Sequence, residues 1–69
     1  MNPALKLLID CTYNSSKKYK TVTELWKSST DPNLTQELIF QKLEKLVKEG
    51  KVIKKGSAYG SVDVLEGKP

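Results

Sequence analysis

The stretch Leu34-Thr35-Gln36-Glu37-Leu38-Ile39-Phe40-Gln41-Lys42-Leu43-Glu44-Lys45-Leu46-Val47-Lys48-Glu49-Gly50-Lys51-Val52-Ile53-Lys54-Lys55 decides how this chain folds. Counted from Thr35, apolar residues stand four, eight and eleven positions on, at Ile39, Leu43 and Leu46. That is the period of a helix with one buried stripe. On a helical wheel Val47 and Phe40 fall in the same arc, which predicts both on the core face. Glu37, Gln41, Glu44, Lys45 and Lys48 point away from it. The helix is expected to run to about Glu49 and to stop at Gly50, a residue that tolerates the left-handed conformation beyond a helix end. Two starts are open: Asp31 as cap with Pro32 at the first helical position, or Thr35 as a later cap.

Downstream, Val52 and Ile53 give Lys51 to Lys55 the β-branched character of a strand. Gly56-Ser57-Ala58-Tyr59-Gly60 reads as a Gly-bounded loop. Ser61 to Leu65 alternates, with Val62 and Val64 on one face, so the end of the chain is expected to be a β-hairpin. Glu66-Gly67-Lys68-Pro69 reads as a frayed terminus. Upstream, Thr21-Val22-Thr23-Glu24 is a capping box, Ser/Thr followed three residues later by Glu. It opens a short helix whose stripe is Val22, Leu25 and Trp26, all three expected in the core. Before it, Lys17 to Lys20 reads as a short extended stretch. The chain begins with Asn2-Pro3, a cap followed by Pro at the first helical position. Leu5, Leu8, Ile9 and Thr12 form one face of that first helix. Ala4, Leu7 and Cys11 widen its apolar arc beyond the roughly 100° of an ordinary surface helix. Either the helix is buried more deeply than usual, or Ala4, Leu7 and Cys11 form a face for another chain.

The order helix, short strand, helix, turn, helix, hairpin resembles the winged helix-turn-helix superfamily over nearly the whole chain. The residues that carry the resemblance are Thr21 to Leu25, the pair Leu34-Thr35, the spaced Ile39, Leu43 and Leu46, then Gly50 leading into Lys51 to Lys55. The resemblance implies one α+β domain over residues 1–69, with three helices and a C-terminal β-hairpin wing. It also implies a third helix that enters the major groove of DNA while the wing lies against the backbone. A Z-form nucleic-acid-binding pattern does not fit: it wants Asn and Tyr on the third helix and Pro-Trp in the wing. Phe40 and Glu44 stand at those helix positions.

Composition narrows the function classes. Among the 69 residues there are twelve Lys, no Arg, no His and one Cys, against eight acidic residues, for a net charge of +4. Without His, and with a single Cys, neither a zinc finger nor a His-based triad can be assembled, and no internal disulfide can form. No apolar run reaches the ~20 residues of a membrane span, and nothing reads as a signal peptide. The expectations are an intracellular protein in the cytoplasm, nucleoid or nucleus, not an enzyme, needing no cofactor and no metal.

The basic balance points to nucleic acid. The excess charge lies in two clusters, Lys17, Lys18 and Lys20, and Lys51, Lys54 and Lys55, while residues 34–50 are neutral. In a winged helix the first strand pairs with the hairpin and brings both clusters onto one sheet. The expected partner is double-stranded DNA and the expected role transcription regulation. The third helix would contribute Thr35, Gln36, Gln41, Lys45 and Lys48, where Gln can pair with adenine and Lys can meet guanine or phosphate. The wing would contribute Lys54, Lys55 and Ser57. Tyr59, read as the wing tip, could stack on the nucleic acid or pack back on the sheet. The competing expectation is a protein-interaction module in a larger assembly, as a homodimer or with another protein, through helix one.

Overall fold

In the computed structural model, residues 2–67 are described, and they form an α+β fold of four helices and a three-stranded antiparallel sheet. Helix α1 (Pro3–Thr12) starts where the Asn2 side chain accepts a hydrogen bond from the Ala4 N–H, at 2.9 Å. Strand β1 (Lys20–Thr21) passes directly into α2 (Val22–Ser28). Both halves of the capping box form: Glu24 N–H donates to the Thr21 hydroxyl, and Thr21 N–H donates to the Glu24 carboxylate at 3.0 Å. Helix α3 (Gln36–Lys48) takes the later of its two starts. Its cap is Thr35, whose hydroxyl accepts from the Leu38 N–H. Asp31 instead accepts from Asn33 N–H inside the preceding turn.

Gly50, at φ 79°, closes α3 in a Schellman motif: Gly50 N–H donates to Val47 O and Lys51 N–H to Leu46 O. An L-residue with a side chain resists that φ, so the glycine sets the direction in which the chain leaves the helix. Strands β2 (Val52–Lys55) and β3 (Ala58–Ser61) follow. β3 lies between the other two, with Lys20 and Lys54 both opposite Tyr59, and Thr21 and Lys55 both opposite Ala58.

Leu8, Leu25, Ile39 and Leu43 are completely buried, and Leu46, Val52 and Tyr59 are nearly so. Helix α1 touches α2, α3 and β3 at once. Its wide apolar arc therefore serves three neighbours within the chain. Ala4 is completely buried in that packing and cannot belong to a face offered to another chain. Leu7 and Cys11 are half-buried against the same core.

The structure corrects the sequence reading at four places. First, the loop expected over Gly56 to Gly60 is a two-residue turn, Gly56-Ser57, with Gly56 at φ 62°; Ala58, Tyr59 and Gly60 belong to β3. A glycine at the first central position is what a tight hairpin of the II′ type requires. Second, the strand expected over Ser61 to Leu65 ends at Ser61, and residues 62–65 turn into α4 (Val62–Leu65). Beyond the pair Val52↔Ser61 the neighbouring strand has already run back into the Gly50 turn. Val62 N–H still donates across to Lys51 O at 3.1 Å, and past it the backbone finds its partners locally, with Glu66 N–H donating to Val62 O at 2.9 Å.

Third, Trp26 is 43% exposed. Helix α2 has two turns, and Leu25 fills its inner position. Fourth, Phe40 is 46% exposed. The space beside α3 that the wheel assigns to Phe40 is taken by Tyr59, which enters from the hairpin. Of the terminus expected to fray, Lys68 and Pro69 lie outside the described residues.

Candidate nucleic-acid interface

Helix α3 is fastened at both ends of its exposed face. Near its N-terminus the Thr23 hydroxyl, from α2, donates to Gln36 Oε1 at 3.0 Å. About one turn from its other end, Glu44 meets the hairpin. The Tyr59 hydroxyl donates to Glu44 Oε2 at 2.5 Å, and Lys54 Nζ donates to the same oxygen at 3.1 Å. Lys54 also stands 5.6 Å from the centre of the Tyr59 ring and 5.8 Å from that of Phe40. The Tyr59 bond, then Lys54, holds the Glu44 carboxyl below its ordinary pKa. Glu44 in turn raises that of Lys54, and burial, followed by Glu44, raises that of the Tyr59 phenol. Around neutral pH the pair is ionised and the phenol is a donor. Tyr59 therefore packs into the sheet and ties it to α3; it is not at the tip of the hairpin, where Gly56 and Ser57 stand.

Between these fastenings a groove opens, walled by the start of α2 (Thr21, Val22, Thr23), by Phe40, and by the hairpin with Lys54, Gly56 and Ser57. Ser57 is exposed on its wall, Gln36, Gln41 and Lys48 are exposed on α3, and Lys55 is exposed on the opposite face of the sheet, over Tyr19. Gln41 Nε2 reaches Glu37 Oε1 at 3.4 Å along the helix, a weak bond that leaves the amide free to turn outward. Thr35 is exposed, with its hydroxyl engaged as the α3 cap.

The lysines divide by what already holds them. Lys17 pairs with Glu24 at 2.9 Å. Lys18 donates to Thr12 O and Tyr13 O, closing the C-terminal end of α1 where carbonyls lack partners. Lys54 is held by Glu44, and Lys51 lies 3.7 Å from Glu49. Lys55 stands over the Tyr19 ring at 5.5 Å and makes no ion pair among the described residues. Lys20, Lys45 and Lys48 make no ion pair among the described residues. Lys45 lies on the far side of α3, in a cleft with Asn2 and Leu5. Of the two clusters expected on one sheet, only Lys20, Lys54 and Lys55 lie in its strands; Lys17, Lys18 and Lys51 precede them, and several of these charges position the fold.

Two features escaped the sequence reading. One is the Glu44–Tyr59 bond, whose partners are fifteen residues apart and meet only once the hairpin register is set. The other is Gly60, where a Cβ would stand 2.9 Å from the Tyr19 ring and 3.1 Å from Leu65. Tyr19 and Leu65 pack against that glycine on the face of the sheet opposite Tyr59. No helix among the described residues is long and apolar enough to cross a membrane. No protein-family model, no curated protein and no solved structure matches the chain.

Proposed function

We propose that this chain is a winged helix domain that binds double-stranded DNA through α3 and the β2–β3 hairpin, in the manner of a small transcriptional regulator. The order of elements and the β1-β3-β2 sheet suit that assignment. The observation that carries it is the double fastening of α3, to α2 through Thr23 and Gln36 and to the hairpin through Glu44, Tyr59 and Lys54. It presents one helix face and one hairpin as a single rigid surface, rimmed by Gln36, Gln41, Lys20, Lys48 and Ser57, while Lys55 lies on the opposite face of the sheet over Tyr19. Preorganisation of this kind lowers the ordering cost of binding.

The test is a binding titration against a random duplex pool over a salt series. Two lysines of this surface that make no ion pair among the described residues, Lys20 and Lys48, give an expected slope of log K against log salt of about −2, at roughly 0.9 per phosphate. Affinity that does not fall with salt rules the proposal out. A second reading, a protein-interaction domain, is favoured by the exposure of Trp26, Leu38 and Ile53. A salt-independent complex with a protein, in place of DNA binding, would support it.

A further inference from the structure

We infer that the surface selects A·T-containing duplex by placing Phe40 against the 5-methyl group of thymine in the major groove; this rests on the DNA-binding reading above. Phe40 is 46% exposed, lies in the first half of α3, and stands on the wall of the groove between helix and hairpin. That half of a recognition helix is the part which meets base edges. The thymine methyl is the apolar mark on those edges; everything else there donates or accepts hydrogen bonds.

The neighbours of Phe40 fit the same base pair. Gln36 lies one turn earlier on the same side of α3, four residues away. With its Oε1 accepting from Thr23, the Gln36 Nε2 is directed outward as a donor. The oxygen keeps a second lone pair, so the amide can still pair with adenine N6 and N7. Guanine is poorly served, since the chain has no Arg to offer a planar fork to O6 and N7, and lysine is a point charge. Lys54, which could approach guanine from the hairpin side, is held over the Phe40 ring by Glu44. An apolar ring, an amide with a fixed orientation and no guanidinium together describe a reader of adenine and thymine.

The experiment compares alternating d(A-T) duplex with alternating d(A-U) duplex of equal length, at fixed salt, by fluorescence anisotropy. Uracil removes only the methyl group. The native protein is expected to bind the uracil duplex about fourfold more weakly for each methyl it contacts. Phe40→Ala is expected to bind both duplexes equally, and Phe40→Leu, which keeps an apolar side chain, to retain part of the difference. Circular dichroism of the variants confirms the fold, and the comparison on the native protein needs no variant at all. Salt-dependent binding of equal strength to both duplexes overturns the inference and leaves DNA binding standing. Failure to bind either duplex, or any other DNA, overturns both.

Discussion

Replacing Glu44 by Gln is expected to tighten DNA binding. Glu44 places a carboxylate on the edge of the proposed interface and holds Lys54 at 3.1 Å. Gln keeps an oxygen that can accept from the Tyr59 hydroxyl, so the attachment of hairpin to α3 survives. It removes the charge that holds Lys54. In the proposed interface of the native protein Lys20 and Lys48 are the cations left for phosphates, which sets an expected salt slope of about −2. In the variant Lys54 joins them, and the slope is expected to steepen by about 0.9. At 0.1 M salt one further phosphate contact corresponds to an affinity gain of up to about eightfold, falling toward nothing near 1 M. Fluorescence anisotropy at several salt concentrations measures both quantities, and a thermal melt monitors the fold. The double variant Glu44→Gln, Lys54→Ala separates release of Lys54 from simple loss of repulsion, since only the former needs the lysine. A slope that does not change in Glu44→Gln would refute the placement of Lys54 beside a phosphate.

Ser61→Ala is expected to stabilise the fold by about 1 kcal/mol, because the Ser61 hydroxyl is buried without a hydrogen-bond partner and does not cap α4. Urea denaturation and a melting temperature raised by roughly 4–8 °C would register it; a loss of stability would mean the hydroxyl caps α4 after all. Glu24 gives a pH dependence: its contact with the Thr21 N–H, then with Lys17, lowers its pKa from 4.5 to about 2. The stabilisation is present above pH 4.5 and declines as pH falls toward about 2, where the folded form takes up its proton. Glu24→Gln removes that contribution, so its urea midpoint is expected to fall less than the native one between neutral pH and pH about 2, and an equal fall would count against the assignment.

What the sequence revealed, and what it hid, follows from how far apart the deciding residues lie. The Asn2 cap, the Thr21–Glu24 capping box, the stripe of Ile39, Leu43 and Leu46 and the stop at Gly50 are each written within a turn or two of chain. Local chemistry is enough to read them. The hairpin depends on register, and moving a strand by one residue turns every side chain to the opposite face. A loop over Gly56 to Gly60 leaves Tyr59 open between stacking on a partner and packing on the sheet; a two-residue turn at Gly56-Ser57 pairs Tyr59 with Lys54 and carries it into the core. The dipeptide was visible, but its pairing consequence needed the partner strand. Once Tyr59 is inside, Phe40 must lie outside, and Glu44, which the wheel points at solvent, acquires a partner. Those reversals share one cause, and they fall on the candidate interface.

The charge of the chain therefore has two uses. Lys17 and Lys18 secure α1 and α2 from behind, and Lys54 secures α3 to the hairpin. Each of these bonds commits a positive group to holding one element against the next. Exposed pairs of this kind add little to stability by themselves, generally under about 1 kcal/mol. Their effect is on orientation: Thr23 with Gln36 and Tyr59 with Glu44 leave α3 little freedom to roll against its neighbours. A surface read by Gln36, Gln41 and Phe40 requires that constraint, because an amide or a ring misplaced by about 1 Å loses its base contact. Net charge alone would favour any polyanion. Under the proposed DNA-binding role, the fixed face of α3 is what would let a chain with lysine as its only basic residue distinguish one duplex from another.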